Sequence, residues 1–437
     1  MVRPVFERLI HIPGPNPIIK SGGPGDWDEN CIEACNVVKD GHTYYFYYHG
    51  VPDDNEKWGP GSYRMGVATA MHPLGPWRKY GQAPLLDVGP EGGWDSGFVA
   101  CATVLKEQEN TYYMFYSGLA GERQGTLPQS IGLATADSPL GPWKKHEKNP
   151  IIEDFGYVGG VMKVDGKYYM YSLWPIDFDS PDQGPFCLAT ADRPEGPWRR
   201  YENNPVLTAG PWGSWDDGGY SEAGVLYHEG VFHAFYGGTK WEKLESIGYA
   251  YSFDGRNFHK HPANPVAMRE RCPGTSAFAE VHALFEPPLF YLYNTERYID
   301  DPETEHLGVQ ILATSTPFRI DMPVMMMDSL KAGARTGLGD CPPIGTENVT
   351  SLALTTGGSY CDTASGALRV KVFPSYDGIN YDTEPVTCLD LAVQPGQHGR
   401  KTVEVDPVVR FAKLTLENLD ERETIHDVRV IATLGCA

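Results

Sequence analysis

Acidic side chains recur at one kind of place in this chain: just ahead of an alternating apolar run that leads, through a short turn, into a tyrosine-rich one. Asp28 and Glu33 precede "ACNVVKDGHTYYFYYHG", Asp95 precedes "GFVACATVLKEQENTYYMFYSG", and Asp154 precedes "YVGGVMKVDGKYYMYSLW". Tyr220 and Glu222 precede "AGVLYHEGVFHAFYGG", and Glu280 precedes "VHALFEPPLFYLYNTER". His49, Arg123, Trp174, Asp177, Lys240, Glu296 and Arg297 stand where the tyrosine-rich runs end. Carboxyl groups brought close push one another's pKa values apart, so one can hold a proton while its neighbour stays ionised. Such carboxyls, set among aromatic faces that stack on sugar C–H surfaces, are what cleavage of a glycosidic bond needs.

For these residues to meet, the ends of five hairpins must be brought together, and the sequence repeats in a way that does so. Trp27-Asp28, Trp94-Asp95 and Trp215-Asp216 each stand ten residues before a valine (Val37, Val104 and Val225), and an aromatic strand follows. Downstream come "MGVATAMHPLGPWRKY", "IGLATADSPLGPWKKH" and "FCLATADRPEGPWRRY", which carry Trp77, Trp143 and Trp198. "IGYAYSFDGRNFHKH" and "GVQILATSTPF" are looser copies, and "KNPII", "NNPVL" and "ANPVA" close three of the units. Each unit of roughly 60 residues alternates with period 2, is rich in β-branched and aromatic residues, and turns at Gly, Pro or Asp. It reads as four strands that cannot bury their faces alone. The copies are therefore expected to pack radially, as a five-bladed β-propeller over residues 1–320 of an all-β protein. In a propeller the first strand of each blade lines the channel. Its beginning shares one funnel mouth with the end of the second strand, where the acids and aromatics would gather. After Phe318 the pattern stops. "PVMMMDSLKAGARTGLGDCPP" reads as a connector, and segments such as "ALRVKVFPSYDG" and "FAKLTLENL" as a β-sandwich accessory domain over residues 321–437.

Composition sets outer limits. With 41% hydrophobic residues, and 49 glycines and 36 prolines without a collagen-like period, the chain is globular. A net charge of −21 disfavours nucleic acid or an anionic membrane as partner and leaves neutral or cationic small molecules, sugars included. No apolar run approaches ~18 residues, so no membrane span is expected. The start, "MVRPVFERLIHIPGPNPII", lacks the core of a signal peptide, which makes the expected location cytoplasmic. Nine cysteines, an odd number scattered along the chain, disfavour a disulfide framework. Cys31 and Cys35 find no Cys or His pair elsewhere to complete a zinc spacing, so no metal site and no required cofactor is expected.

The hairpins, the "SPLGPW" tag and an acid opening each inner strand resemble the five-bladed glycosidases around glycoside hydrolase family 43, over residues 20–320. The resemblance implies three acting carboxylates: a base from the first blade, a pKa-setting Asp from a middle blade, and an acid Glu opening the fourth. "SEAGVLYHEG" matches the acid-bearing segment, which makes Glu222 the acid. "DENCIEACNVV" offers Asp28 or Glu33 as base, without the family's usual Asp-Pro pair. The middle-blade position holds Tyr157-Val158, so Asp154 or Asp95 would have to stand in. The expectation is a divergent glycosidase, exo-acting and inverting, with a carbohydrate as partner.

Bland roles compete with these at several positions. The Trp-Asp pairs also suit packing and turn capping. Glu280 aligns with Glu222 as a further candidate carboxylate. His282 follows on the same strand face and suits either a channel ion or a satisfied structural role. Trp94, Tyr220, Trp174, Lys240, Arg297 and His282 make up the expected substrate-binding set. Two other functions fit the same fold. A glycoside phosphorylase, as in family 130, would use Arg123, Lys240 and Arg297 as a phosphate pocket. A non-catalytic sugar-binding propeller would need only the aromatics. The C-terminal domain offers a brace, a glycan-binding module or a surface for self-association into a homo-oligomer.

Overall fold

The computed structural model describes residues 6–121, 129–173, 186–239, 245–301, 304–407 and 409–436; the side chains of Asn55 and Glu222 lie outside the description. Nearly all of it is strand. Among the described residues the only α-helix is the single turn Asn55–Trp58, and no helix is long and apolar enough to cross a membrane.

Five antiparallel meanders follow one another. The first consists of Cys31–Asp40, Thr43–Val51, Arg64–Ala70 and Arg78–Lys79, and the second of Phe98–Gln108, Thr111–Leu119, Ser130–Ala136 and Lys144–Lys145. The third runs Tyr157–Val164, Lys167–Leu173, Phe186–Ala191 and Arg199–Arg200; the fourth runs Gly219–His228, Val231–Thr239, Glu245–Ser252 and His259–Lys260. The fifth, Thr275–Glu286, Leu289–Tyr298 and Glu305–Ala313, takes its outer strand from Ile10–Pro13, with Ile10 opposite Ala313. The first strands neighbour one another in closed order, one through five and back to one. A cavity of ≈ 320 Å³ lies between them, and Asn36, Thr103, Gly160, Val225 and His282 each line it from a different meander.

The sequence tags show their purpose here. Each Gly-Pro-Trp tryptophan packs edge-on into the preceding meander: Trp143 on Tyr47 at 6.4 Å, Trp198 on Phe115 at 5.9 Å, and Trp77 on Tyr293 of the fifth at 6.0 Å. The Tyr47 and Tyr293 hydroxyls return the contact by donating to the Pro139 and Pro73 carbonyls, at 2.8 and 2.9 Å. The Asn of each Asn-Pro tag uses its amide as a short piece of ladder. Asn149, Asn204, Asn264 and Asn16 accept from the backbone N–H and donate to the carbonyl of Leu133, Leu188, Tyr249 and Val309, respectively.

The expected connector begins as a strand and becomes a connecting run of turns, with one short 3-10 turn at Leu338–Asp340, only after Leu330. Phe318–Leu330 runs antiparallel to Ile425–Cys436, and Phe318, Ile320, Met322 and Val324 alternate into the core. Pro323 looks like a break, but a bulge between Pro323 and Met325 absorbs it. Two four-stranded sheets make up this part. One is Phe318–Leu330, Ile425–Cys436, Ser351–Ser359 and His398–Val405; the other is Ile344–Gly345, Phe411–Asn418, Leu368–Ser375 and Thr387–Leu391. Their inward side chains, Leu354 and Val430 from one and Val370 and Leu416 from the other, share an apolar cluster that continues to Ile12 and Tyr293. All nine cysteines are free thiols.

Candidate active site

The three Trp-Asp pairs build one device three times. Trp27 stacks on Tyr48, Trp94 on Tyr116 and Trp215 on Tyr236, at 5.6, 5.6 and 5.7 Å. The following Asp accepts from that tyrosine's hydroxyl and from a lysine of the outer strand: Asp28 from Lys79, Asp95 from Lys145 and Asp216 from Lys260, each at 2.6 Å. The repetition, and the burial of all three carboxylates, make these pairs braces within a meander rather than groups facing a substrate. Tyr220 is buried edge-on against Tyr236, beside the third brace.

Glu33 stands elsewhere. It lies opposite His49 in the first hairpin and accepts from His49 Nε2 at 2.8 Å and from the Tyr63 hydroxyl at 2.6 Å. The Cys101 N–H points at His49 Nδ1, 3.2 Å away. Burial lowers the pKa of His49 and the Glu33 charge raises it, with the balance upward; in either charge state Nε2–H donates to Glu33.

Two carboxylates that sequence reasoning missed complete the site. Glu305 opens the third strand of the fifth meander, and its carboxylate, the Cys31 thiol and the Glu33 carboxylate place one atom each within 4.8 Å of one another. Glu245 opens the third strand of the fourth. Arg297 ties the set together, with Nε 2.5 Å from Glu305 and its terminal nitrogens 3.5 Å from Glu245 and 3.6 Å from Glu280. Glu280 sits at a bulge with φ +47, where the inner strand leaves regular pleating and turns the side chain toward Arg297. The Arg297 side chain keeps 30% of its exposure, so the cluster opens to solvent there.

Electrostatics separates the two nearest acids. Burial alone would raise Glu33, but the charge and hydrogen bond of His49, the Tyr63 hydroxyl and the charge of Arg297 outweigh it and hold Glu33 at about 2. Burial and the Glu33 charge push Glu305 up to about 7, against the pull of Arg297. The two titrate as a pair that keeps one proton up to near-neutral pH. Cys31, Glu33 and Glu305 are close enough to hold a cation. Arg297 pairs with Glu305, and burial followed by the Glu33 charge pushes the Cys31 thiol up.

Other expected site residues fall apart from this cluster. The Asp154 residue is exposed on the third meander, where its carbonyl accepts from Arg200. His282 is buried on the ≈ 320 Å³ cavity, and burial followed by the charge of His49 lowers its pKa to about 3. Glu296 is buried in a network with Asn16, Gln310 and Tyr298. Trp174, Asp177, Arg123 and Lys240 lie outside the described residues, as does the side chain of Glu222. The Glu222 backbone precedes Ala223, which bridges Val281, and Glu280 precedes Val281 on the adjoining strand.

No protein-family model and no curated protein sequence matches the chain. Solved structures do. One, described as a BT0996 complex with RGII, matches at TM-score 0.53 and 15% identity over 69% of this chain and 92% of its own. A glycosyl hydrolase from Bacteroides ovatus matches at 0.51 and 15%, over 70% and 94%. A third is described as belonging to family 130, mannoside phosphorylases that include glycoside hydrolases targeting β-1,2 mannosidic linkages in Candida mannan; it matches at 0.51 and 15%, over 71% and 95%. At these identities the likeness is one of fold, and at that level the expected resemblance to propeller-type glycoside hydrolases is borne out.

Proposed function

We propose that the protein is a glycoside hydrolase: a five-bladed β-propeller that carries the active site, with a C-terminal β-sandwich as accessory domain. The observation that carries this is the Glu33–Glu305 pair. It is two carboxyls with pKa values pushed apart, beside a guanidinium, in a fold shared with glycoside hydrolases. Once the pair has lost its shared proton, Glu33 accepts a proton from the attacking water. The water oxygen bonds to the anomeric carbon, the glycosidic C–O bond breaks, and Glu222 gives its proton to the departing oxygen. Glu33 and Glu305 are too close to straddle a sugar and a water, which takes ~6.5–9.5 Å in inverting enzymes. They therefore act together as the base, and Glu222 serves as the acid. Exo action and inversion remain part of the proposal. It requires no cofactor.

One observation favours hydrolysis over phosphorolysis. Arg297 is shared by three carboxylates, which compete with phosphate for it. The test is a screen of aryl glycosides and plant or algal oligosaccharides, with and without phosphate. Sugar release at a rate indifferent to phosphate, and abolished in Glu33→Gln, is the expected result. A strict phosphate requirement, or release undiminished in Glu33→Gln, overturns it.

A further inference from the structure

Arg64 is a fully buried arginine that opens the third strand of the first meander. Its one carboxylate partner, Asp87 at 2.9 Å, is itself 54% exposed. The rest of the guanidinium is spent on backbone. Nη2 donates to the carbonyls of Trp58, Gly59 and Pro60 at 2.9, 3.2 and 3.2 Å, and Nη1 to those of Gly61 and Ser62 at 3.2 and 3.1 Å. Five consecutive carbonyls thus point inward at one cation. The far end of the segment is also tied to the second meander, where Ser62 N–H donates to the Gly97 carbonyl at 2.8 Å and Val99 N–H to the Tyr63 carbonyl at 2.9 Å. The Gly- and Pro-rich stretch before it is gathered by a planar fork of five donors, as a point charge could not do. Gly61 shows how closely the segment is drawn in: at φ +104, a Cβ there would lie 3.1 Å from Val88 Cγ1 and from the Gly97 carbonyl oxygen.

The residue that follows this segment is Tyr63, whose hydroxyl donates to Glu33 and whose ring stands edge-on to His49 at 4.7 Å. We propose that Arg64 is a positioning residue for the active site: by gathering the carbonyls of residues 58–62 it holds Tyr63 where its hydroxyl meets Glu33. This rests on the assignment of Glu33 to the site. The groups that face Glu33 and Cys31 are His49, Tyr63, Glu305, Arg297 and Glu280, and of these Tyr63 alone is delivered by a loop rather than by a strand. Arg64 never touches the substrate. Its effect reaches the chemistry through one hydroxyl.

The experiment follows the Glu33–Glu305 pair without substrate, by NMR of 13C-labelled glutamate carboxyls in the full chain. Tyr63→Phe removes a donor to the Glu33 carboxylate, which the hydrogen bond helps to hold at about 2, so the lower of the pair's two steps should move up by about one pH unit. Arg64→Lys should move it in the same direction. In the Tyr63→Phe background Arg64→Lys should add nothing, because the hydroxyl it positions is gone. Two results overturn the proposal: Arg64→Lys leaving the step in place while Tyr63→Phe moves it, or Arg64→Lys moving it equally with and without the Tyr63 hydroxyl. If Arg64→Lys does not fold, Gly61→Ala takes its place. It disturbs the same segment without touching Arg64 or Tyr63, and an unmoved step there also overturns the proposal. Kinetics then separates the two claims. A chain that cleaves no glycoside yet shows these shifts keeps the role of Arg64 and loses the functional assignment.

Discussion

Replacing Glu305 by Gln removes the shared proton while keeping the shape of the side chain and an acceptor for Arg297 Nε. In the native protein Glu305 is raised to about 7 by burial and by the Glu33 charge. At about pH 6 roughly a tenth of the pairs are doubly ionised, and at about pH 8 roughly nine tenths, so kcat/KM should climb about tenfold between them. In Glu305→Gln the remaining carboxyl, Glu33, held at about 2 by His49, Tyr63 and Arg297 against burial, is ionised throughout that range. The limb near 7 should vanish and the rate run flat. The plateau should also fall, because a carboxylate of such low basicity is a poor acceptor for the proton of water. A loss of about 10²-fold sits at the lower end of the ~10²–10⁴ that general acid–base catalysis provides. The assay is kcat/KM against pH with an aryl glycoside whose leaving group departs without protonation, which keeps the titration of Glu222 out of the profile. A variant that retains a limb near 7 assigns that limb to another group, and a variant with an undiminished plateau removes the pair from the chemistry.

Three other substitutions are informative. Glu222→Gln should cost ~10²–10⁴-fold on a substrate with a poor leaving group and far less on an activated aryl glycoside; equal losses on both would point to binding or folding. Asp28→Asn leaves Lys79 without its counter-charge and should cost about 1–3 kcal/mol in urea unfolding with kcat unchanged; a folded but inactive variant would return Asp28 to the site. Glu296 is raised to about 7 by burial, against hydrogen bonds from Tyr298 and Asn16. From its ordinary 4.5 up to about 7 the unfolded chain ionises while the native one stays protonated, so native stability should fall by roughly 3 kcal/mol across that window and level off above it. Glu296→Gln should remove its share of the decline and leave that of Glu305, which is also raised to about 7, as read from unfolding midpoints against pH.

Much of the ring is legible in the sequence because its devices are local. A Trp-Asp pair, its tyrosine and its lysine lie within one repeat, so the sequence sets a packing role beside the catalytic one for each of the three copies. Three of the four Asn-Pro tags likewise bind a strand 15 or 16 residues upstream in sequence, whereas Asn16 binds Val309 near the other end of the ring. Locality also explains the one misplaced element in the C-terminal part. The pairing of Phe318–Leu330 lies with the last strand of the chain, at a separation where alternation is the only clue, and Pro323 interrupts even that.

The site is only half legible for a related reason. The hairpins draw attention to the beginning of the first strand and the end of the second. The third strand starts at the same mouth, because it pairs with the end of the second: Gly50 with Arg64, Gly118 with Ser130, Leu173 with Phe186, Thr239 with Glu245, and Arg297 with Glu305. Three of those five openers carry charge in the first, fourth and fifth meanders, and all three act on the Glu33 cluster. What hides them is the linker between second and third strands, which ranges from residues 240–244 to residues 52–63. Aligning repeats on their aromatic strands therefore scatters the openers, while antiparallel pairing puts them back in register. The beginning of the third strand is thus a third source of mouth residues. In this chain it supplies the acid that holds the proton, a second acid on Arg297, and the arginine that holds Tyr63 in place.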